Sequence, residues 1–224
     1  MPLQKSKKIL IYFFLFFIIG SLNNKEINNF DLPKINQIEI NGLDIKNNLK
    51  LATQLKNMKL GNLFFIEKAK IIKIINSNEL VEKYSIFKKY PSSLKIDIIE
   101  TEFLAYIKKD NKNFLLGSNG KFIKSRELNK NLPYIFGDFN NTDFFKLKKN
   151  IDESNFNFKK VKNLFYFKSG RWDIETFSGL IIKLPKDNVV QSLNLLIDIL
   201  DKLDSNKISK IDLRQKNQII INEQ

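Results

Sequence analysis

Eleven consecutive apolar residues, Ile9 to Ile19, follow a lysine-rich start in this 224-residue chain. An apolar segment behind a basic flank is typical of a membrane-directing signal whose lysines stay on the cytoplasmic side. We therefore expect residues 1–8 to form a cytoplasmic tail and residues 9–22 to form a transmembrane anchor. A helix from Ile9 to Leu22 would be about 21 Å long, which is short against a hydrocarbon core about 30 Å thick.

Two other interpretations of this segment stay open. A cleaved signal peptide is the first, although the exit from Ile18 to Asn24 is a poor match to the small-residue pattern of a cleavage site. A buried core helix is the second, because apolar stretches of this length also occur inside globular proteins. We favour the uncleaved anchor because Lys25 behind the segment is offset by Glu26, so positive charge is concentrated on one side.

The residue types exclude most kinds of catalytic site. The chain has no cysteine and no histidine, so it has no disulfide, thiol nucleophile, Ser-His-Asp triad or histidine-based zinc site. No glycine-rich nucleotide-binding motif occurs. A glycosidase could use Glu100 with Glu102 or Asp152 with Glu153, but their spacing favours solvated surface charges. We expect no enzyme activity, no catalytic residues, no metal site and no cofactor.

The formal net charge of +14 raises the question of nucleic-acid binding. Most lysines alternate with apolar strand residues, and the densest run beyond the start, Lys159–Lys162, is short. This distribution favours a solvated surface, or weak attraction to anionic lipid, over a nucleic-acid site. The chain is 43% hydrophobic, enough for two small domains with cores of their own.

Residues 23–33 are rich in asparagine and end at a proline, which predicts a linker. The pattern of residues 34–102 then predicts the order β-α-α-β-β. The inward face of the first helix is expected to carry the residues at helical spacing, Ile45, Leu49, Ala52, Leu55 and Met58. The second helix is expected to point Phe65, Ala69, Ile72 and Ile75 inward.

Residues 103–222 are mostly short strand patterns separated by turn residues, which predicts a mainly antiparallel β domain. Asp187 opens a helix that we expect to pack on the sheet. The last strand is predicted over residues 218–222. Periodicity does not settle the structure of residues 138–160.

Seven short segments occur in a characteristic order along the chain: Ile38–Gly42, Gly61–Ile66, Tyr90–Ile96, Asn119–Phe122, Leu132–Gly137, Arg171–Ile174 and Ile211–Arg214. Each is weak alone. Their order and spacing together resemble the FtsQ and DivIB family of membrane-anchored cell division proteins, and the resemblance spans essentially the whole chain.

The resemblance implies an α+β fold with a polypeptide-transport-associated (POTRA) domain over residues 34–102 and a β domain over residues 103–222. It implies a non-enzymatic, single-pass scaffold of the inner membrane at the division septum, with its N-terminus in the cytoplasm and most of the chain in the periplasm. The implied partners are small coiled-coil division proteins of the FtsB and FtsL type and other divisome proteins, with no nucleic acid and no small-molecule substrate. A POTRA-containing chaperone or translocation helper for envelope proteins stays open as a second function.

The last strand suggests a binding mechanism. Ile219, Ile220 and Ile221 place apolar side chains on both faces, and an edge strand there would offer free N–H and C=O groups to an incoming strand. We predict β-augmentation by residues Arg214, Gln215, Lys216, Asn217, Gln218, Ile219, Ile220 and Ile221. Arg214 and Lys216 would select acidic residues of the partner. The alternative is a strand covered by the chain's own helix, with Arg214 in an internal ion pair.

Two further features carry alternative interpretations. Tyr90 and Pro91 are most simply a hairpin turn, and the resemblance adds a second docking surface there. Trp172 is either a binding hot spot or, as we favour, part of the core at the start of a strand.

Overall fold

The structure is a computed structural model that describes residues 5–22, 31–110, 112–125, 131–202, 208–215 and 218–223. Packing divides the chain into two compact units. The first unit comprises Met1–Asn41, Ile45–Ile74 and Ser85–Asp97, and the second comprises Gly42–Asp44, Ile75–Tyr84 and Ile98–Gln224. The predicted domain boundary at residue 102 stays a prediction, because packing places residues 75–84 in the second unit.

Helix α1, Lys5–Leu22, contains the apolar segment. Its apolar side chains from Ile9 to Ile19 are exposed on every side of the helix. Among the residues that the structure describes, no helix is both long enough and apolar enough to cross a membrane. This finding contradicts the predicted transmembrane helix over residues 9–22, which is about 21 Å long and follows lysines within the same helix. Most of the predicted linker, residues 23–30, lies outside the described residues.

The predicted β-α-α-β-β order is confirmed. Its elements are β1 (Gln37–Asn41), α2 (Ile45–Asn57), α3 (Lys68–Ser77), β2 (Val81–Lys89) and β3 (Ser93–Glu100). The three strands form a sheet in the order β1-β3-β2, in which β1 and β3 are parallel. Parallel strands such as β1 and β3 need a long connection between them, and the two helices form part of that connection.

The inward faces of these helices differ from the prediction. Helix α2 buries Leu55 but exposes Ile45 and Leu49, so the predicted apolar face is wrong at those two positions. Helix α3 begins only at Lys68, which leaves Phe65 in the preceding loop with 79% of its surface exposed. The prediction that Phe65 points inward is therefore wrong, because helical spacing does not apply to a residue that is outside the helix.

The second unit is built on a nine-stranded sheet. Its strands are β4 (Phe103–Lys109), β5 (Lys112–Gly117), β6 (Phe122–Lys124), β7 (Tyr134–Phe136), β8 (Val161–Tyr166), β9 (Trp172–Thr176), β10 (Ile181–Lys183), β11 (Ile208–Asp212) and β12 (Ile220–Glu223). They are ordered β12-β11-β10-β9-β8-β7-β4-β5-β6. Three neighbouring pairs, β10 with β11, β4 with β7 and β7 with β8, are parallel, and the other five are antiparallel.

Two helices, α4 (Asn141–Asp152) and α5 (Val189–Leu200), contribute to the core of this sheet. Their buried side chains, including Phe144 and Leu193, belong to one cluster with the strand residues Leu164 and Ile174. Helix α4 lies within residues 138–160, whose structure periodicity left open. The Asn140 side chain defines its start by accepting a hydrogen bond of 2.9 Å from the Asp143 backbone N–H.

Trp172 belongs to this core, as the core-packing interpretation predicts. It is buried, and its ring centroid lies 4.7 Å from that of Tyr166 and 5.7 Å from that of Phe139. Edge-to-face and tilted ring contacts of this kind add to the free energy of burial. Trp172 is therefore a packing residue of β9.

Candidate binding edge of the nine-stranded sheet

Strand β12 lies at one end of the nine-stranded sheet. It pairs antiparallel with β11 alone among the described strands, with Ile221 opposite Ile211 and Ile220 opposite Asp212. An edge strand hydrogen-bonds on one side only, so its outward N–H and C=O groups are free to pair with another strand. The strand begins at Ile220, two residues later than predicted.

The two faces of β12 have different surroundings. Ile219 and Ile221 are partly buried and pack against the core cluster to which α5 contributes. Ile220 is 49% exposed on the other face. The alternative interpretation, a strand covered by the chain's own helix, therefore holds for one face of β12, whereas Ile220 is exposed on the other face and no described strand pairs with the outer edge.

Arg214 forms an ion pair with Asp212 on the preceding strand. Its Nε donates to Oδ1 at 2.8 Å and to Oδ2 at 3.0 Å, and its backbone N–H donates to Oδ1 at 3.1 Å. The hydrogen bond from the Arg214 side chain lowers the pKa of Asp212, and the same bond raises the pKa of Arg214. This is the internal pair of the alternative interpretation. The guanidinium is thus paired with Asp212 in the free protein.

A groove of about 570 Å³ runs beside the turn that leads to β12. It is lined by the start of α5, including Gln191 and Leu195, and by Leu213, Gln215 and Gln218. The groove thus lies beside Ile219, the partly buried residue that precedes β12. Amide side chains with an apolar floor suit a peptide whose side chains alternate between polar and apolar.

The open face of the sheet carries a row of charged residues next to Ile220. The strand register places Asp212 beside Ile220, Lys183 beside Asp212, and Asp173 beside Lys183. A side-chain hydrogen bond with Lys210, with burial and like charge adding to it, lowers the pKa of Lys183, whereas burial raises the pKa of Asp173. The sequence pattern does not predict this row, because its members are far apart in the chain and only the register between strands brings them together.

The predicted binding residues are partly brought together. Arg214, Gln215 and residues 218–221 form the turn and edge just described, whereas Lys216 and Asn217 lie outside the described residues. Tyr90 and Pro91 lie in the first unit, at the turn between β2 and β3, and their role as a second docking surface stays a prediction.

The opposite edge of the sheet, β6, gives a reference for β12. Phe122 on β6 is 44% exposed, close to the value for Ile220. The hairpin that leads into β6 is held by side chains, since Asn119 Nδ2 donates to Val81 O at 2.9 Å and Lys121 Nζ donates to Asn76 O at 2.7 Å. This three-residue strand ends in Lys124, and a short strand with a lysine is a common means of protecting an edge from strand addition. Strand β12 has two adjacent isoleucines in the corresponding place.

Metal ligands do not cluster in the described part of the chain: no group of three or more acidic residues there could hold an ion. The acidic pairs noted in the sequence lie on the surface. Asp152 pairs with Lys148, and Glu153 pairs with Lys149 at 3.6 Å. Glu100 and Glu102 are both exposed.

Comparison with known proteins gives matches over both predicted domains. The family model described as Cell division protein FtsQ/DivIB, C-terminal, matches residues 105–214, and the model described as POTRA domain, FtsQ-type, matches residues 34–101. Cell division protein DivIB of Clostridium botulinum strain Hall is 27% identical, with 92% of this chain and 86% of that protein covered. Cell division protein FtsQ of Rickettsia bellii is 24% identical, with 84% and 72% covered.

A solved structure is also similar. It is the major extracytoplasmic domain of the trans isomer of the bacterial cell division protein DivIB from Geobacillus stearothermophilus, with 15% identity and a TM-score of 0.35. The match covers 48% of this chain and 97% of that one. A likeness at this score carries no weight for the assignment, which depends on the sequence matches.

Proposed function

This chain belongs to the FtsQ/DivIB family of cell division proteins, and we propose that it is a non-enzymatic scaffold that recruits other division proteins by strand addition at β12. The position of β12 at the end of the sheet supports the proposal most directly. Pairing along the backbone supplies affinity that does not depend on the partner's sequence, and the flanking side chains supply selectivity.

The proposed partners are periplasmic segments of small coiled-coil division proteins of the FtsB and FtsL type. An incoming strand would place alternate side chains beside Ile220 on the open face and above the groove on the other. Since Arg214 is already paired with Asp212, we assign selection of acidic partner residues to Lys210, which the register places opposite Asn222 of β12, ahead of Arg214.

Attachment to the inner membrane is part of the proposed function. Helix α1 exposes apolar side chains on every side, and a contiguous apolar surface of this kind is unstable in water. The three lysines at its start suit an anionic headgroup layer. We place the protein at the division septum on the strength of its family.

Complementation tests this proposal. Depletion of the protein is expected to give filamentous cells, and the full chain is expected to restore division. An Ile220→Pro variant that still folds and localises is expected to leave the filaments, because proline cannot donate a backbone hydrogen bond. Restored division by that variant would refute strand addition at β12, and defective envelope-protein assembly without filaments would favour the chaperone function instead.

A further inference from the structure

Three aromatic residues are exposed together at one end of the first unit. Phe64 and Tyr90 pack against each other with ring centroids 5.1 Å apart, and Phe65 follows in the chain with 79% of its surface exposed. We call Phe64, Phe65 and Tyr90 the aromatic end. Large exposed rings of this kind mark an interaction surface when they lie side by side.

The exposure of these rings is fixed by the local backbone. The Asn62 Oδ1 accepts hydrogen bonds from the backbone N–H groups of Phe64 and Phe65, at 3.0 and 3.1 Å. Leu63, which lies between Asn62 and Phe64, is fully buried, and its carbonyl accepts a hydrogen bond from Lys88 Nζ. The loop thus points Leu63 inward and both phenylalanine rings outward, and these three backbone groups have side-chain partners within the unit.

The chain that arrives from α1 joins the first unit at this same end. Lys34 forms a β-bridge with Asn62, and the Ile35 N–H donates to Gly61 O at 2.8 Å. The Asn36 N–H donates to Ser92 O at 3.1 Å, next to the turn that carries Tyr90. The twelve residues from Leu22 to Lys34 can span at most about 43 Å. The aromatic end is therefore the part of the unit that is tethered most closely to α1.

The charges around the aromatic end suit an anionic surface. Lys34 and Lys59 are both exposed. Lys34 is bridged to Asn62, which follows Gly61, and Lys59 lies two residues before Gly61. Neither lysine is in an ion pair within the described residues. Glu67, the acidic residue that follows Phe65, pairs with Lys70 at 2.8 Å. Aromatic rings combined with free lysines are the composition of protein surfaces that rest at the headgroup level of a bilayer.

We propose that the aromatic end docks on the surface of the membrane to which α1 attaches, with its rings among the headgroups and its lysines on anionic lipid. This inference rests on the proposed attachment of α1. It assigns a lipid surface, in place of a protein, to the predicted second docking site at Tyr90 and Pro91. Docking would hold the first unit at a fixed distance from the bilayer.

A fluorescence experiment on the full chain in liposomes tests the proposal. The liposomes contain phosphatidylcholine with a quarter phosphatidylglycerol, and bromine atoms on the upper acyl chain quench nearby indole rings. The reporter is Phe65→Trp, and the matched control is Ile45→Trp, since Ile45 is 80% exposed and lies at the opposite end of α2 from the aromatic end. The buried Trp172 gives the same background in both variants.

We expect the indole of Phe65→Trp to be quenched at least about twice as strongly as that of Ile45→Trp, and less strongly when the lipid is phosphatidylcholine alone. Equal quenching of the two reporters in liposomes that carry the protein would overturn the docking and point to a protein partner for the aromatic end. Flotation tests the attachment of α1 separately from the docking of the aromatic end. A chain that fails to float with the liposomes would refute the attachment of α1, and the docking with it, while leaving strand addition at β12 intact.

Discussion

The aromatic end and the β12 edge both expose apolar side chains, but they differ in the state of their backbone. At the aromatic end, side chains satisfy three backbone groups of the loop: Asn62 accepts from the N–H groups of Phe64 and Phe65, and Lys88 donates to the carbonyl of Leu63. At β12, the outer side of the strand has no neighbour among the described strands. Exposed aromatic rings suit the headgroup level of a lipid surface, whereas unpaired backbone N–H and C=O groups suit another strand. Exposed apolar area alone therefore does not define the kind of partner.

The largest expected effect comes from Ile220→Pro. Loss of a backbone donor and the bulk of the ring should weaken binding of the FtsB and FtsL type partners at least about tenfold. Titration of the full chain in detergent measures this affinity. Phe122→Pro on the opposite edge is the matched control and should bind normally, because β6 is not the proposed docking strand. Equal losses in both variants would indicate general damage to the sheet and break the distinction between the edges.

Asp212→Asn should have the next largest effect, on stability. Because hydrogen bonds from Arg214 lower its pKa in the folded state, ionised Asp212 stabilises the fold above its ordinary pKa near 3.8, and that stabilisation is lost as the pH falls through the lowered folded value. We expect a loss of about 1–2 kcal/mol in unfolding free energy at pH 7, shrinking as the pH falls below 3.8 and through the lowered folded value, measured by urea denaturation.

Variants of the Arg214–Asp212 ion pair test the role of Arg214. If Arg214 only positions the turn before β12, Arg214→Gln and Asp212→Asn should reduce stability equally and the double variant should lose no more than either. An additional loss of partner affinity in Arg214→Gln alone would show that the guanidinium also contacts the partner, as the sequence analysis first proposed.

The smallest effect is expected from Asn62→Ala. Without the side-chain acceptor, the N–H groups of Phe64 and Phe65 lose their partner, which should cost about 1 kcal/mol of stability. Thermal unfolding would record the loss. Binding of the division partners should be unchanged, since β12 belongs to the other unit. Weakened partner binding in Asn62→Ala would show that the two surfaces do not act separately.

Local patterns in the sequence predicted most elements of the fold. Alternation and helical spacing gave the β-α-α-β-β order, and the lone Trp172 was assigned to the core. The position of β12 at the end of the sheet does not follow from local patterns. Strand β12 is an edge because β11 pairs on its other side with β10, and the parallel register of Ile182 with Ile211 depends on residues far apart in the chain. Pattern alone predicts the strand but not its neighbours.

One prediction fails for a local reason. Helical spacing from Ala69 predicts Phe65 on a helix, but the Asn62 side chain accepts hydrogen bonds from the backbone there, and the helix begins only at Lys68. The asparagine two residues before Phe64 is the sequence feature that indicates this. For Arg214 the pattern leaves two alternatives open, and the internal ion pair is the one seen in the free protein, because Asp212 lies two residues earlier on the same side of an extended chain.

Hydrogen exchange of the full chain, alone and bound to its FtsB and FtsL type partners, tests the central claim most directly. Strand addition predicts slower exchange of the amides in Ile220–Glu223 on binding, with no change in Phe122–Lys124 at the opposite edge. Protection that falls elsewhere, while the amides of β12 exchange as fast as in the free protein, would contradict the account.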